Sequence, residues 1–355
     1  MDKFRIDSHK LIYHVPRVNA WLAGKAIYPL YIEISPSGIC NHRCIFCAYD
    51  FVGYKPNFLD TSILKSRLGE MASLGVKSVL YSGEGEPLLH KDISAIVNYT
   101  RRSGIDTALA SNGVLLDKSM ADSILGSLSW IKISMNAGTK KTYASIHRAP
   151  AADFDRVVKN LSYAARLKRQ KKYECAIGIQ ILLLPENSGE IVALARKARD
   201  IGADYVVVKP YSQHPLSITR KYEDMKYSQY LKLADKLKGI QDKNFEVIFR
   251  TAAMKKWDDG GHSYKHCYAL PFWAHIDSAG TIWGCPVYFG DERFNRGNIY
   301  KNTFKQIWRS AKRKELENFA RNKLNIRHCR VNCRMDEINR YLWELKNPSA
   351  HVNFI

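Results

Sequence analysis

Residues 40–47 read Cys40-Asn-His-Arg-Cys44-Ile-Phe-Cys47 and follow an alternating segment, residues 30–35, that is typical of a β-strand. Three cysteines spaced by three and then two residues in one loop can hold three irons of a cubane [4Fe-4S] cluster. The fourth iron is then left without a protein ligand, so that a small molecule with an amine and a carboxylate can chelate it. The spacing therefore indicates an enzyme.

The alternative for this loop is a zinc site or a set of reduced, buried thiols. Structural zinc takes four ligands, usually in two short pairs. Here three cysteines crowd into residues 40–47, with His42 as a local fourth ligand in a position that would cramp a tetrahedral site. The spacing favours the cluster and leaves zinc as the alternative.

Length and composition indicate a packed globular protein. The chain has 355 residues, 46% of them hydrophobic, which suffices for one large α/β domain and a smaller one. No run approaches the roughly 18 to 20 apolar residues of a membrane helix, and the first residues lack the apolar core of a signal peptide. We therefore expect a cytoplasmic protein without a membrane partner, whose clustered cysteines hold metal rather than disulfides.

The net charge of +21 has three interpretations: a nucleic-acid surface, an acidic substrate, or docking of an acidic electron donor. Lysines and arginines are spread along many segments, and neither an RNA-reading aromatic motif nor zinc-finger spacing accompanies them. This pattern disfavours nucleic acid as a partner and leaves the other two interpretations open.

Strand-like and helix-like segments alternate from Leu30 to Lys209, which indicates parallel βα units. The predicted strands cover residues 30–35, 78–81, 106–110, 130–134, 174–183 and 205–209. Six such units predict an α/β fold, a partial (β/α)6 TIM-like barrel, with its chemistry at the C-terminal ends of the strands. Polar, glycine-containing segments stand at those ends, among them Ser82-Gly-Glu-Gly-Glu-Pro87 and Ser111-Asn-Gly113.

Four further cysteines follow the barrel: Cys267, Cys285, Cys329 and Cys333. Two strand-like runs around a turn at residues 277–280 predict a hairpin that brings the first two together. We predict an N-terminal cap segment (1–29), the barrel (30–225), a connecting helix and strand (226–260) and a small cysteine-rich β-hairpin/helix domain (261–355). Four cysteines alone would also fit zinc. Cys175, in the fifth strand, is predicted to be a small buried hydrophobe.

The motif CxxxCxxC, with Phe46 before its last cysteine, resembles the cluster motif of the radical S-adenosylmethionine (SAM) superfamily. Gly85, Glu86 and Pro87 match the last three positions of that superfamily's GGEP segment, whereas Gly83-Glu84 departs slightly from its spacing. The resemblance implies a SAM-binding [4Fe-4S] cluster on Cys40, Cys44 and Cys47. It also implies SAM contacts from residues at the strand ends: Phe46 against the adenine, Glu86 with neighbouring Gly85 at the ammonium, Arg148 at the carboxylate, and Asn112, Ser134, Asn136 and Gln180 around the ribose and adenine.

The C-terminal region resembles the SPASM/twitch extension of radical SAM enzymes, through a cysteine, a hairpin with an Asp-x-x-Gly turn, Gly284-Cys-Pro286 and Gly297-Asn-Ile299. Four cysteines match the shortened twitch form, which implies one fully ligated auxiliary [4Fe-4S] cluster. By the same resemblance, a flavodoxin or ferredoxin reduces the first cluster, SAM is cleaved to a 5′-deoxyadenosyl radical, and that radical abstracts hydrogen from a substrate.

Three residues at or just after the end of the sixth strand are candidates for handling the substrate proton: Lys209, Tyr211 and His214. The first hypothesis is oxidation or epimerisation of a small-molecule substrate such as a sugar, nucleotide-sugar or aminocyclitol. The second is modification of a peptide; only 39 residues precede Cys40, fewer than the leader-binding domain of many peptide-modifying relatives needs. The third is a non-catalytic zinc or RNA-binding protein. The sequence predicts no oligomeric state.

Overall fold

The computed structural model describes residues 3–6 and 8–354; residues 1, 2 and 7 of the predicted cap segment and residue 355 of the predicted C-terminal domain lie outside this description. Ten strands in the described residues form one sheet: β1 (Tyr31–Ile34), β2 (Ser78–Tyr81), β3 (Asp106–Ser111), β4 (Trp130–Ser134), β5 (Ala176–Leu182), β6 (Tyr205–Lys209), β7 (Glu246–Phe249), β8 (Trp273–Ile276), β9 (Thr281–Trp283) and β10 (Asn295–Asn298). Their order across the sheet is β10-β9-β8-β1-β2-β3-β4-β5-β6-β7.

All neighbouring strands from β8 through β1 to β7 are parallel, whereas β9 is antiparallel to both β8 and β10. Each of the six predicted strands is present. Residues of β1 and β4 alternate because one face packs under helices while the other faces the barrel interior: Ile131 and Ile133 belong to the main core, and Lys132 between them does not. The structure therefore confirms a mixed α/β fold with a partial barrel.

The described residues contain twelve α-helices: α1 (Val15–Leu22), α2 (Thr61–Ser73), α3 (Ile93–Arg102), α4 (Lys118–Ile124), α5 (Lys140–His147), α6 (Ala152–Lys171), α7 (Ile191–Ile201), α8 (Leu233–Lys238), α9 (Thr251–Asp259), α10 (Phe304–Arg309), α11 (Ala311–Asn322) and α12 (Asp336–Lys346). Asp60 caps α2, as its carboxylate accepts the Ile63 N–H at 2.8 Å. Within these ranges, no helix has the length and hydropathy needed to cross a bilayer.

The N-terminal segment closes the end of the barrel opposite to the cysteine loop. Phe4 and Ile6 pack with Tyr205, Val207 and Ile248 in a small apolar cluster, and the rings of Phe4 and Tyr205 lie 4.7 Å apart. This packing places Phe4 and Ile6 against β6 and β7, and the cap segment over residues 1–29 stays a prediction.

The C-terminal hairpin extends the barrel sheet. β8 pairs in parallel with β1, with Trp273 opposite Tyr31, and β8 and β9 form the predicted hairpin. Asp277 fixes the turn, because its carboxylate accepts the Thr281 N–H at 2.8 Å and the Trp283 indole N–H at 2.7 Å. The cysteine-rich region is therefore attached directly to the first barrel strand.

Candidate active site

The loop that follows β1 holds three partly exposed cysteines, each with a hydrogen-bond donor at its sulfur. The His42 N–H lies 3.5 Å from Cys40 Sγ, and His147 Nδ1 lies 3.2 Å from Cys44 Sγ. The Tyr54 hydroxyl and a backbone N–H face Cys47. A thiolate that is shielded from water needs such hydrogen-bond donors. The surroundings of the three sulfurs therefore suit metal ligands.

Burial raises the pKa of all three thiols, that of Cys40 to about 12, and nearby negative charges add to the effect. Cys47 raises the pKa of Cys40 and Cys44, and Glu86 raises the pKa of the same two thiols. Without a cation the thiols would stay protonated at neutral pH, whereas the irons of a cluster supply the compensating positive charge. Three partly exposed thiols that act on one another electrostatically therefore fit a cluster.

His147 was not among the predicted site residues. Its Nε2 accepts the Asn136 N–H at 3.4 Å, which assigns the ring hydrogen to Nδ1 and makes His147 a donor to Cys44. Burial and then His42 lower the pKa of His147 to about 3, so the ring is neutral. Ligand atoms of His42, Cys44 and His147 lie within 4.8 Å of one another, close enough to hold a single metal ion.

Gly85 fits close against the cysteine loop. A Cβ at this position would lie 2.2 Å from the Ser37 carbonyl oxygen and 2.4 Å from that of Ile39. The next residue, Glu86, donates its N–H to the same Ile39 oxygen at 2.7 Å. The glycine therefore lets the segment after β2 hold the cysteine loop in place.

The Glu86 carboxylate joins the ends of two strands. It is buried and accepts the Leu88 N–H at 3.1 Å, the Ser111 hydroxyl at 2.7 Å and the Asn112 N–H at 2.8 Å. Burial raises the pKa of Glu86, and these three hydrogen bonds oppose that shift. Its predicted contact with the SAM ammonium stays a prediction, for which one lone-pair position of the carboxylate is left.

The other predicted cofactor residues lie at neighbouring strand ends. Asn112 donates to the Asn41 side chain at 2.6 Å, and Asn136 donates to the Ser134 hydroxyl at 3.1 Å. Gln180 of β5 is paired with Ser134 of β4. Of these residues, Asn112 contacts the cysteine loop directly, through Asn41.

Phe46 and Arg148 differ in their surroundings. The Phe46 ring is buried and lies edge-on to His147, with ring centroids 5.4 Å apart. Arg148 ends α5 in a left-handed conformation, with φ +46°, and its side chain is exposed. Among the described residues, Arg148 makes no side-chain hydrogen bond or ion pair that would hold it at the site.

The three candidates for proton transfer occupy different environments. His214 is buried with both nitrogens engaged: Nε2 donates to the Pro286 carbonyl at 3.1 Å and Nδ1 accepts the Leu216 N–H at 3.1 Å. Tyr211 is buried against the Tyr222 ring, and burial raises its pKa. Lys209 is partly buried, and burial lowers its pKa well below 10.5.

The four C-terminal cysteines also have a donor at each sulfur. The Asn339 amide lies 3.7 Å from Cys267 Sγ, the Tyr288 hydroxyl 3.2 Å from Cys329 Sγ and the Met335 N–H 3.4 Å from Cys333 Sγ. A backbone N–H at Val287 faces Cys285. Burial raises the pKa of each of the four thiols.

The distances between these four sulfur atoms help to decide between a zinc ion and an iron-sulfur cluster. They act on one another electrostatically, yet in the part of the chain that the structure describes no three of them lie within 4.8 Å of one another. Ligands of one tetrahedral zinc, with Zn–S bonds of about 2.3 Å, would have sulfurs about 3.8 Å apart. The wider set fits a four-iron cluster better than a single zinc.

A segment over residues 210–219, here called the bridging loop, contacts both sets of cysteines. On one side, Asp50, three residues after Cys47, accepts the Ile218 N–H at 2.8 Å and the Thr219 N–H at 2.9 Å. On the other side, His214 binds the carbonyl of Pro286, the residue after Cys285.

The bridging loop also reaches the last cysteine pair. Arg330 donates to the Ser212 carbonyl at 2.9 Å, and the Ser212 hydroxyl donates to the Asn332 carbonyl at 3.3 Å. Residues 330 and 332 lie between Cys329 and Cys333. One loop at the open end of the barrel therefore holds the two cysteine sets in a fixed relation.

Comparison with known proteins agrees with this arrangement. The Radical SAM superfamily model matches residues 34–198, and the SPASM iron-sulfur cluster-binding domain model matches residues 267–334. GTP 3′,8-cyclase of Chlorobaculum tepidum is 26% identical over 196 residues, which cover 54% of this chain and 57% of the cyclase. AdoMet-dependent heme synthase of Methanosarcina barkeri is 23% identical over 292 residues, 77% of this chain and 80% of the synthase.

Solved structures share the fold. SuiB of Streptococcus suis, solved with S-adenosylmethionine and with the precursor peptide SuiA, superposes with a TM-score of 0.62 over 84% of this chain. The superposed parts cover 69% to 70% of SuiB and are 17% to 18% identical in sequence. The two matched domains imply [4Fe-4S] clusters and SAM as cofactors. The chain belongs to the radical SAM superfamily and carries a C-terminal SPASM iron-sulfur cluster-binding domain.

Proposed function

We propose that this radical SAM enzyme oxidises a small polar substrate held in the barrel between its two cysteine sets. The observation that carries this proposal is the bridging loop, which contacts the segments next to Cys47, Cys285 and Cys329. A substrate at the open end of the barrel would then lie near both sets. When bound, SAM and the cluster on the first cysteine set would supply a 5′-deoxyadenosyl radical for hydrogen abstraction. The cluster on the second cysteine set would supply an acceptor for the electron that remains on the substrate.

We assign the cysteines by position. Cys40, Cys44 and Cys47 would hold the SAM-binding cluster, and Cys267, Cys285, Cys329 and Cys333 the auxiliary one. The domain division at about residues 30, 226 and 261 is part of this proposal, as is reduction by a flavodoxin or ferredoxin, for which the net charge of +21 offers an attractive surface.

Lys209 is the candidate that we propose for accepting the substrate proton. Its pKa is lowered first by burial and then by Lys132 and Arg250, a direction that favours the neutral amine able to accept a proton. His214 has no free nitrogen, because both of its ring nitrogens hold the bridging loop. Tyr211 has a raised pKa and would be a weaker acid than an exposed tyrosine.

Two substrate classes remain as candidates. The names of the matched sequence relatives, GTP 3′,8-cyclase and AdoMet-dependent heme synthase, describe small molecules, which supports a small-molecule substrate. SuiB was solved with a precursor peptide, which supports peptide modification as the second candidate. Sugars, nucleotide-sugars and aminocyclitols are the small molecules that we propose first, with oxidation or epimerisation as the reaction.

The test uses anaerobically reconstituted protein with SAM, a reductant and a cell extract labelled with deuterium. We expect about eight irons per chain, formation of 5′-deoxyadenosine, and deuterium in that product from the small-molecule fraction of the extract. Cys40→Ala should abolish 5′-deoxyadenosine, whereas Cys329→Ala should retain uncoupled SAM cleavage and lose the oxidised product. Cys175→Ala, which removes a buried core thiol, is the matched control.

Three results would decide against parts of the proposal. Absence of 5′-deoxyadenosine from the reduced wild type would overturn the radical mechanism. Deuterium transfer from the peptide fraction alone would select the second candidate. Normal product from Cys329→Ala would make the auxiliary site structural.

A further inference from the structure

Glu84 is a buried acid to which the proposed function assigns no role. It belongs to residues 83–87, Gly-Glu-Gly-Glu-Pro, here called the GEGEP segment, which follows β2 and contains Gly85 and Glu86. Burial raises the pKa of Glu84. A buried acid needs hydrogen-bond donors, so the donors to Glu84 show which part of the molecule it holds.

The donors to the Glu84 carboxylate come from the C-terminal domain. The Ser278 N–H donates to it at 2.8 Å, across 194 positions of sequence. The Ser278 hydroxyl donates to it as well, and both hydrogen bonds oppose the effect of burial on the pKa. Ser278 lies in the turn that joins β8 to β9. The hairpin turn therefore holds the GEGEP segment by its acid.

The backbone of Glu84 is connected to the same hairpin. Its N–H donates to the Ser35 hydroxyl at 3.3 Å, and that hydroxyl lies 3.0 Å from Nε2 of His275 in β8. The Glu33 carboxylate lies 4.0 Å from His275 Nδ1, which assigns the ring hydrogen to Nδ1 and makes Nε2 the acceptor of the Ser35 hydroxyl. Residues 275–278 thus hold both the side chain and the backbone of Glu84.

Two glycines allow these segments to come into close contact. A Cβ at Gly83, whose φ is +108°, would lie 1.8 Å from Ser35 Oγ, and a Cβ at Gly38 would lie 2.6 Å from Ser278 Oγ. Gly38 is two residues before Cys40. The hairpin turn therefore packs on the loop of the first cysteine set as well as on the GEGEP segment.

This packing bears on Glu86, the residue predicted to bind the SAM ammonium. Glu86 is two residues after Glu84, and its own N–H donates to the Ile39 carbonyl at 2.7 Å. A side chain binds its ligand more tightly when its position is fixed before the ligand arrives, because less freedom is lost on binding. The contacts of Glu84 fix the chain just before Glu86.

We propose that Glu84 is a positioning residue for SAM, which the hairpin turn of the C-terminal domain holds so that the GEGEP segment keeps the conformation that binds the cofactor. This inference rests on the proposed function, because it takes the cluster on Cys40, Cys44 and Cys47 as the place where SAM binds. The SAM affinity of the barrel then depends on the C-terminal domain, although the hairpin contributes none of the predicted SAM contacts.

Binding of SAM without turnover tests the inference. SAM is titrated calorimetrically into the anaerobically reconstituted holoenzyme without reductant, so that it is bound and not cleaved. We expect Glu84→Ala to raise the SAM dissociation constant roughly tenfold, because the hydrogen bonds from Ser278 are lost. Glu84→Gln keeps an acceptor for the Ser278 N–H and should recover most of the affinity.

Glu70→Ala is the matched control. The Glu70 carboxylate of α2 also accepts two N–H groups of the C-terminal domain, those of Phe304 and Lys305, at 2.8 Å each. It lies in the last turn of α2, which leads to the start of β2, whereas the GEGEP segment follows the end of that strand. Its SAM dissociation constant should equal that of the wild type.

A second variant breaks the same contact from the other domain. Ser278 is the second residue of a turn that the Gly280 N–H closes by donating to the Asp277 carbonyl at 3.0 Å, and proline is favoured at that position. Ser278→Pro removes the N–H and the hydroxyl and should weaken SAM binding as Glu84→Ala does. The double variant should bind no more weakly than the weaker single variant.

Unchanged SAM affinity in the variants Glu84→Ala and Ser278→Pro, at full iron content, would overturn the inference. An equal loss in Glu70→Ala would also overturn it, because any loosened contact between the domains would then suffice. Iron content and melting temperature show whether each variant has folded. The proposed function is judged separately by 5′-deoxyadenosine: wild type that binds SAM and forms none after reduction removes the proposed function, whereas unchanged SAM binding by the variants removes the positioning role alone.

Discussion

Gly85 is the residue at which the site tolerates least change. Gly85→Ala would put a methyl group 2.2 Å from the Ser37 carbonyl oxygen, so the cysteine loop would have to move. We expect a loss of about 1–3 kcal/mol in unfolding free energy and incomplete iron incorporation, measured by thermal melting and iron analysis. Gly189→Ala is the matched control, since a Cβ there meets nothing within 4 Å. Full iron content and an unchanged melting temperature in Gly85→Ala would contradict this account.

The sequence predicts those site residues whose role depends only on their spacing along the chain. The seven cysteines other than Cys175 fall into two groups, as their spacing indicated. The bonds of Glu86 to Ser111 and Asn112 depend on how β2 and β3 lie side by side, which spacing does not show. His147 was missed because its donor role depends on a contact across 103 residues of sequence.

At the scale of elements, Asp336 joins the start of α12 to Lys256 of α9 and to His262. Burial alone would raise its pKa, but hydrogen bonds from His262, Lys256 and Arg340 lower that pKa far below 3.8. A carboxylate whose pKa is lower in the folded state stabilises that state at pH values above the pKa that it has in the unfolded chain. This stabilisation is lost as the pH falls through the lowered pKa of the folded state. The helix it begins also carries Asn339, the donor to Cys267.

Asp336→Asn should therefore destabilise the C-terminal domain. The change leaves buried cations without their anion, which costs about 3–5 kcal/mol, and we expect a lower urea midpoint and loss of iron from the auxiliary site. Glu337→Gln is the control, because the neighbouring Glu337 side chain is 44% exposed and its pairing with Arg340 is weak. Equal midpoints for the two variants would show that the buried pairs add nothing.

Elements with a strong local pattern were predicted, and those that depend on distant partners were not. The six barrel strands alternate or run apolar between polar ends, so their sequences identify them. α5 and α9 have only eight and nine residues, so each is too short to show a clear period. The parallel pairing of β8 with β1 joins residues more than 200 positions apart, and no local signal predicts it.

At the scale of the whole molecule, the continuous sheet places the cysteine-rich domain over the open barrel. Because β8 extends β1, the segment that carries Cys329 and Cys333 can contact both β1 and the bridging loop. Charged side chains of both domains therefore meet in this arrangement, among them Glu33 and Lys132 of the barrel and Arg334 near Cys333. The arrangement puts positive charge in the barrel interior. Buried charge lowers the unfolding free energy by an amount that depends on the pH.

Because of Lys132, the unfolding free energy of the whole molecule should rise as the pH increases above about 8. Its pKa falls from 10.5 in the unfolded chain to about 8, first through burial and then through Arg334 and Arg250. Between these values the unfolded chain holds a proton that the folded chain has released, so higher pH favours folding. We expect the unfolding free energy of the wild type minus that of Lys132→Gln to rise by about 1–2 kcal/mol between about pH 7.5 and about pH 9.5, discounted for partial solvation. Urea titration measures this difference, which cancels the titration of unrelated groups. A constant or falling difference would mean that Lys132 is solvated like a surface lysine.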